Sequence, residues 1–258
     1  MRTFKVTLAY DGTDFGGWQR QSNARSVQAE IEDALAPIEG APVAVAGAGR
    51  TDSGVHALGQ VASFRLTNRI GAQELQQALN ATLAEDVRVL SVEEAPDGFN
   101  ARFLARSKVY RYRISNTKVI SPFERRYAWH ISRSLDFEGM KKGAAELAGE
   151  HDFTSFRALG GKVKSSIRTI FRSEWREEPV PGGGRLLVYE VAGTGFLKYM
   201  VRNIIGTLVD VGDGRRTASS IREILASHDR AAAGPTAPPG GLYLVRVDYD
   251  AAGPVSFS

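Results

Sequence analysis

Residues 42–66 read PVAVAGAGRTDSGVHALGQVASFRL. The run opens on β-formers, Pro42 to Ala46, and closes on a second such run, Gln60 to Leu66, so it reads as strand, loop, strand. The intervening loop carries glycines at 47, 49, 54 and 59, which permit positive φ and close backbone approach. Arg50 and Asp52 stand two residues apart in it. In extended backbone such side chains point the same way, and an Arg beside an Asp keeps the carboxylate ionised and oriented. An ionised carboxylate is what attack at a sugar carbon, or removal of a proton from one, requires. Isolated Arg-x-Asp pairs are also common as surface ion pairs worth little. The loop therefore nominates Asp52 and Arg50 without fixing the reaction.

Working outward, Thr3 to Tyr10 alternates as a strand and ends in turn chemistry at Asp11-Gly12. Ser26 is placed to cap a helix whose apolar stripe is Val27, Ile31, Ala34, Leu35 and Ile38. Ala72 to Leu83 reads as a second helix, and Val87 to Glu94 and Ser107 to Ser115 as strands. The remainder partly echoes this order. Tyr127 to Ile131 is a short strand, and Ser134 caps a helix to about Ala148. Ile167 to Arg176 and Arg185 to Ala192 pair across a turn at 181–184, whose glycines precede neither a lysine nor a helix, so it is not a phosphate-binding loop. Helices follow over Phe196 to Val211 and around Ile221 to Ala226, and Leu242 to Tyr249 is the last strand. The pattern predicts an α+β fold of two split-βαβ (ferredoxin-like) halves, residues 1–116 and 117–258, with their sheets side by side and a central cleft.

Composition narrows the chemistry. The 258 residues include no cysteine, which excludes disulfides, thiolate metal sites and cysteine nucleophiles. The four histidines, at 56, 130, 151 and 228, share no metal-ligand spacing. Met1-Arg2-Thr3-Phe4-Lys5 leads into no signal-peptide core, and no apolar run is long enough to span a bilayer, so the expectation is a soluble cytoplasmic protein with no membrane partner. Net charge is only +4, but basic residues cluster at Arg106, Lys108, Arg111 and Arg113, at Arg125 and Arg126, from Lys162 through Arg176, and at Lys198, Arg202, Arg215 and Arg216. Such clusters serve either as solvated faces or as a phosphate-tracking groove.

The loop Gly49-Arg50-Thr51-Asp52-Ser53-Gly54-Val55-His56-Ala57 closely resembles the signature of the tRNA pseudouridine synthase A (TruA) family. Further segments agree in order, among them Tyr10-Asp11-Gly12-Thr13, Gly17-Trp18-Gln19-Arg20-Gln21, Tyr110-Arg111-Tyr112, Met200-Val201-Arg202-Asn203 and Gly241-Leu242-Tyr243-Leu244. The resemblance runs from about Phe4 to Tyr249. It implies an isomerase converting uridine to pseudouridine in the anticodon arm of tRNA, at positions 38, 39 and 40, acting as a homodimer with no cofactor or metal. It also implies that Asp52 is the catalytic aspartate, Arg50 its ion-pair partner, and Tyr110 the aromatic stacked on the target base. Ser53, Leu83-Ala84 and Lys198-Tyr199 depart from the usual family residues.

Several other residues have two readings each. Trp18 is a core anchor or, with Arg20, an RNA contact. His56 assists the chemistry or, the preferred reading, orients the loop. Arg157 is a candidate phosphate contact beyond the turn at Asp152. Arg202 lines the cleft or binds phosphate, and it shares a helix face with Lys198. Two other functions fit parts of the pattern. A non-catalytic RNA-binding protein would use the aromatic and basic strand faces, and an Asp-dependent nucleoside or glycoside hydrolase would need a second carboxylate, with Asp14 and Asp152 the obvious candidates.

Overall fold

A computed structural model describes residues 1–160, 163–180 and 183–250. Lys162 of the basic cluster, and the Pro181-Gly182 part of the expected hairpin turn, lie outside the described residues. The fold is α+β, with ten strands in mixed parallel and antiparallel pairing among the described residues. The chain divides into two compact units.

The first unit takes Met1–Arg106 and Tyr243–Tyr249. It contains β1 (Arg2–Tyr10), α1 (Val27–Glu39), β2 (Ala46–Gly47), β3 (His56–Leu66), α2 (Ala72–Thr82), β4 (Val87–Ala95) and most of the chain's last strand, β10 (Leu242–Asp248). β1 runs antiparallel to β4 on one side and to β3 on the other. β2 lies antiparallel on the far side of β3, so the two strands joined by α1 flank a third. β10 adds a short parallel pairing, Tyr243 opposite His56 and Leu244 opposite Ala57. Alternation in β1 puts Phe4, Val6, Leu8 and Tyr10 on the buried face, and α1 and α2 contribute Ile31, Leu35, Leu75 and Leu79 to the core. Each such side chain contributes about 1.5–3 kcal/mol when fully buried.

The second unit, Ser107–Leu242, contains β5 (Ser107–Asn116), β6 (Trp129–His130), α3 (Phe137–Ala145), β7 (Gly149–Asp152), β8 (Ile167–Pro179), β9 (Arg185–Gly193), α4 (Met200–Gly212) and α5 (Ser220–Ser227). β5, β9, β8 and β7 form an antiparallel run in that order, and β6 pairs parallel with β5. One face carries Tyr110, Tyr112, Trp175 and Tyr189, all buried. On the other, Glu190 is 3% exposed and bridges Arg111 at 2.7 Å and Arg176 at 3.0 Å.

Four expectations are corrected. Pro42 to Val45 is not a strand. Glu32 accepts from the Val45 amide at 3.2 Å and Gln28 donates to its carbonyl at 3.1 Å, so α1 side chains satisfy backbone that a ladder would have used. β3 begins at His56 rather than Gln60, because β10 pairs with that end. α4 begins at Met200 rather than Phe196, since Tyr199 adopts a left-handed φ of 64° that no helical residue can hold. The cap of α3 is Asp136, whose carboxylate accepts from the Gly139 amide at 3.0 Å, and not Ser134.

That last correction is measurable. Asp136→Ala should cost about 1 kcal/mol of stability, read as a lower urea midpoint, while Ser134→Ala leaves the midpoint unchanged. Equal losses in both variants would return the cap to Ser134.

Candidate active site

Asp52 sits half-buried in the loop 48–55 between β2 and β3. A second loop, residues 11–18 after β1, supports it backbone to backbone. The Thr51 carbonyl accepts from the Trp18 amide at 3.1 Å, and the Phe15 carbonyl accepts from the Gly54 amide and the Ser53 hydroxyl at 3.2 Å each. The approach is close enough to dictate residue type. A Cβ on Gly12 would fall 2.0 Å from the Val55 carbonyl oxygen, and one on Gly17, at φ +111°, would fall 2.7 Å from that of Thr51. From below, the buried hydroxyls of Tyr10 and Thr51 share a 2.8 Å hydrogen bond, and Gln60 donates to the Gly49 carbonyl at 2.9 Å. The Val55 amide closes the turn onto the Asp52 carbonyl at 3.1 Å. The carboxylate is thus carried on backbone fixed on both sides.

His56, 2% exposed, buttresses the same corner. Its Nδ1 lies 3.1 Å from the Gly12 amide and 3.1 Å from an Asp11 carboxylate oxygen. These contacts require opposite states of one nitrogen. The amide can only donate, so it sets Nδ1 as the acceptor, and the Asp11 contact is not an ion pair in that state. Asp11 instead accepts from the Thr13 amide and hydroxyl, at 3.0 and 2.6 Å. The His56 ring stacks on Tyr243 of β10, with centroids 4.8 Å apart.

Trp18 is 3% exposed and its indole fills the space that a side chain at Gly47 would need, which makes it a core residue of this unit. Arg20 is turned toward α1, where Glu32 and Asp33 each bind it at 2.6 Å, and these carboxylates raise its pKa. Arg50 is exposed. Arg25, which the sequence did not single out, lies over Phe15 at 4.2 Å and pairs with Glu30 and Asp86, clamping the 11–18 loop from outside.

In the second unit, Tyr110 on β5 lies opposite Val191 and meets Phe196 edge-on at 5.0 Å. The Tyr112 hydroxyl, two residues on, donates to the Pro238 carbonyl at 2.8 Å. Arg202 on α4 donates from Nε to the Ala237 carbonyl at 2.8 Å. The shared face expected for Lys198 and Arg202 takes an unexpected form, because both cations lie 5.1 Å from the Tyr199 ring centroid. Arg157 is half-buried, and the Ala158 amide beside it donates to the Lys198 carbonyl at 2.9 Å. Burial works to raise the pKa of Asp152, but the Thr154 hydroxyl and amide and the charges of His228 and Arg157 outweigh it and hold the carboxyl low. Asp152 is therefore a turn-forming acid.

A family model described as tRNA pseudouridine synthase matches residues 7–103 and 144–250, which together carry Asp52, His56, Arg157 and Arg202. This chain belongs to the TruA family of tRNA pseudouridine synthases. A tRNA pseudouridine synthase A of Myxococcus xanthus is 46% identical over 250 residues, covering 96% of this chain and 92% of its own. Those of Thermoanaerobacter sp. (strain X514) and Lacticaseibacillus casei (strain BL23) are 43% and 42% identical, each covering 96% of this chain and 100% of their own. Tyr110 falls between the two matched stretches.

The synthase keeps its basic clusters largely engaged. Arg111 and Arg176 serve Glu190, Arg113 pairs with Glu124 at 2.8 Å, Arg172 pairs with Glu174 at 2.7 Å, and Arg215 and Arg216 serve Asp210. No helix is long and apolar enough to cross a membrane among the described residues. Sequence reasoning assigned no role to Tyr10 or Gln60. The available signal was Gln60 itself, a polar residue on the inward face of an apolar strand.

Burial pushes the Tyr10 phenol up to about 12, and raises Tyr112, Tyr189 and Tyr249 as well. The folded chain then binds more protons than the unfolded one above the ordinary tyrosine value, so stability is complete below a pH of about 10 and falls as pH climbs through about 12. Thermal midpoints should be level to about pH 9.5 and drop beyond it, with phenolate absorbance at 295 nm appearing alongside unfolding. Phenolate absorbance complete by about pH 11 in a still-folded chain would contradict this.

Proposed function

We propose that this chain isomerises uridine to pseudouridine at positions 38, 39 and 40 of the tRNA anticodon arm, with Asp52 as the catalytic carboxylate. The observation that carries this reading is the glycine-permitted contact between the 11–18 and 48–55 loops, which holds one half-buried carboxylate on hydrogen-bonded backbone. Fixed placement of the reacting group lowers the entropic part of the barrier.

The reaction breaks the bond from C1′ to N1, turns the base, and forms a bond from C1′ to C5, with the C5 hydrogen leaving as a proton and N1 taking one up. No atoms are gained and no electrons change hands. Attack of Asp52 at C1′ or at C6, or its removal of the C2′ proton, all begin from the ionised carboxylate. Arg50 is the ion-pair partner of that carboxylate in this reading. A base in the anticodon arm must leave its stack to reach Asp52, and Tyr110 offers the ring on which it rests. Arg202 and Arg157 contact the RNA backbone, and His56 orients the loop from behind. With Trp18 buried and Arg20 held by two carboxylates, their part is to fix the scaffold that carries Asp52. The reading includes the side-by-side halves and central cleft expected from the sequence, a homodimer, and a cytoplasmic location beside the tRNA pool.

The deciding experiment uses tRNA tritiated at C5 of uridine. Wild type should release tritium to water, while Asp52→Ala and Asp52→Asn release none yet still bind the RNA. Release by either variant at the wild-type rate removes Asp52 from the centre, and free uracil in the supernatant would mean hydrolysis instead. Phosphate contacts add a second expectation. The logarithm of tRNA affinity should fall with the logarithm of salt, by about 0.7–0.9 for each phosphate neutralised. A flat dependence would argue against a phosphate-lined groove.

A further inference from the structure

Residues 229–238 form a strap laid across α4. Asp229 caps its first turn by accepting from the Ala231 amide at 2.9 Å. The Gly234 amide donates to the Thr207 hydroxyl at 2.9 Å, and that hydroxyl donates to the Asn203 carbonyl at 2.7 Å. At Gly206 a Cβ would fall 1.7 Å from the Pro235 carbonyl oxygen, so the strap rests on bare helix backbone.

The pivot is Asn203, fully buried at 0% exposure. Its side-chain amide donates to the Phe156 carbonyl at 2.8 Å. Its Oδ1 accepts from the Thr236 hydroxyl at 2.6 Å and from Arg230 at 3.0 Å. Arg230 also donates to the Gly234 carbonyl at 3.0 Å. One guanidinium thus pins the strap to itself and to the helix, and burial lowers its pKa. The two carbonyls that follow Thr236 accept from side chains. Ala237 accepts from Arg202 Nε at 2.8 Å while its amide donates to the Arg202 carbonyl at 3.1 Å, and Pro238 accepts from Tyr112 at 2.8 Å.

We propose that Arg230 is a positioning residue, fixing the strap so that the Ala237 carbonyl aims the Arg202 guanidinium at the RNA. This rests on the reading of Arg202 as an RNA contact. The planar fork of an arginine reaches two acceptors in fixed directions at once, which a lysine cannot reproduce. Charge at 230 is therefore insufficient, and the fork is required.

The test measures kcat/KM by tritium release and tRNA affinity against salt for Arg202→Gln, Arg230→Lys and the double variant. Thermal midpoints confirm that each is folded at the assay temperature. Arg202→Gln should lose about tenfold in kcat/KM and about one phosphate from the salt slope. Arg230→Lys keeps the charge yet should show the same two losses, and the double variant should be no worse than Arg202→Gln alone. Wild-type behaviour in Arg230→Lys beside an impaired Arg202→Gln overturns the inference, as does a double variant whose losses multiply. Wild-type behaviour in Arg202→Gln itself removes Arg202 from the proposed function and the inference with it, and that single variant tells the two failures apart. Should Arg230→Lys melt below the assay temperature, Thr236→Val carries the test, with a smaller loss in the same direction expected and none overturning it.

Discussion

Two loops meeting without side chains between them is the constraint on which the first unit depends. Backbone can approach backbone at the Gly12–Val55 and Gly17–Thr51 crossings only because no Cβ intervenes. A contact of this kind has few soft degrees of freedom, since both partners are peptide groups with fixed planes. The surrounding polar groups serve that contact. Gln60 and His56 each satisfy a backbone group that the tight crossing leaves without a ladder partner, Ser53 adds a second donor to the Phe15 carbonyl, and Tyr10 binds the Thr51 hydroxyl. The aromatic and cationic residues around it, Trp18 behind Gly47 and Arg25 over Phe15, then close the space from the two remaining sides.

The second unit solves a similar problem with different materials. Its α4 must carry Arg202 while packing Met200, Ile204 and Leu208 in the core. The helix therefore presents a polar edge, Asn203 and Thr207, to a strap rich in proline and glycine, whose own carbonyls become acceptors for side chains. In both units a glycine marks the crossing of two backbones, and buried hydrogen-bonding side chains fix its register.

Much of the α+β order was legible because it rests on local periodicity. α1, α2, β1 and β5 each follow an apolar stripe of the right spacing. What escaped was decided by partners distant in sequence. Nothing near His56 announces that Tyr243 will extend β3, and nothing near Val45 announces that Gln28 and Glu32 will take its backbone groups. The left-handed Tyr199 that delays α4 is likewise invisible to a helical pattern. At the site, the glycine-rich loop and Asp52 stood out by composition. The roles of Tyr10, Gln60 and Arg25 did not, since each acts through a contact made only in three dimensions. The basic clusters were legible as charge but not in their partners. Counting charge along the chain takes no account of Glu190, a single buried carboxylate that engages two of those arginines at once.

The pairing of β10 with β3 bears on the order in which the chain is made. Residues 1–106 hold the whole Asp52 loop and its glycine support, yet they leave His56 and Ala57 without their parallel partner and the His56 ring without its stack. Those are supplied only when residues 243–249 leave the ribosome, after residues 107–242 of the second unit have been synthesised. A nascent or truncated chain therefore carries the Asp52 carboxylate in an unfinished setting. The corner around Asp52 is thus completed late, by a strand that is made only after residues 107–242.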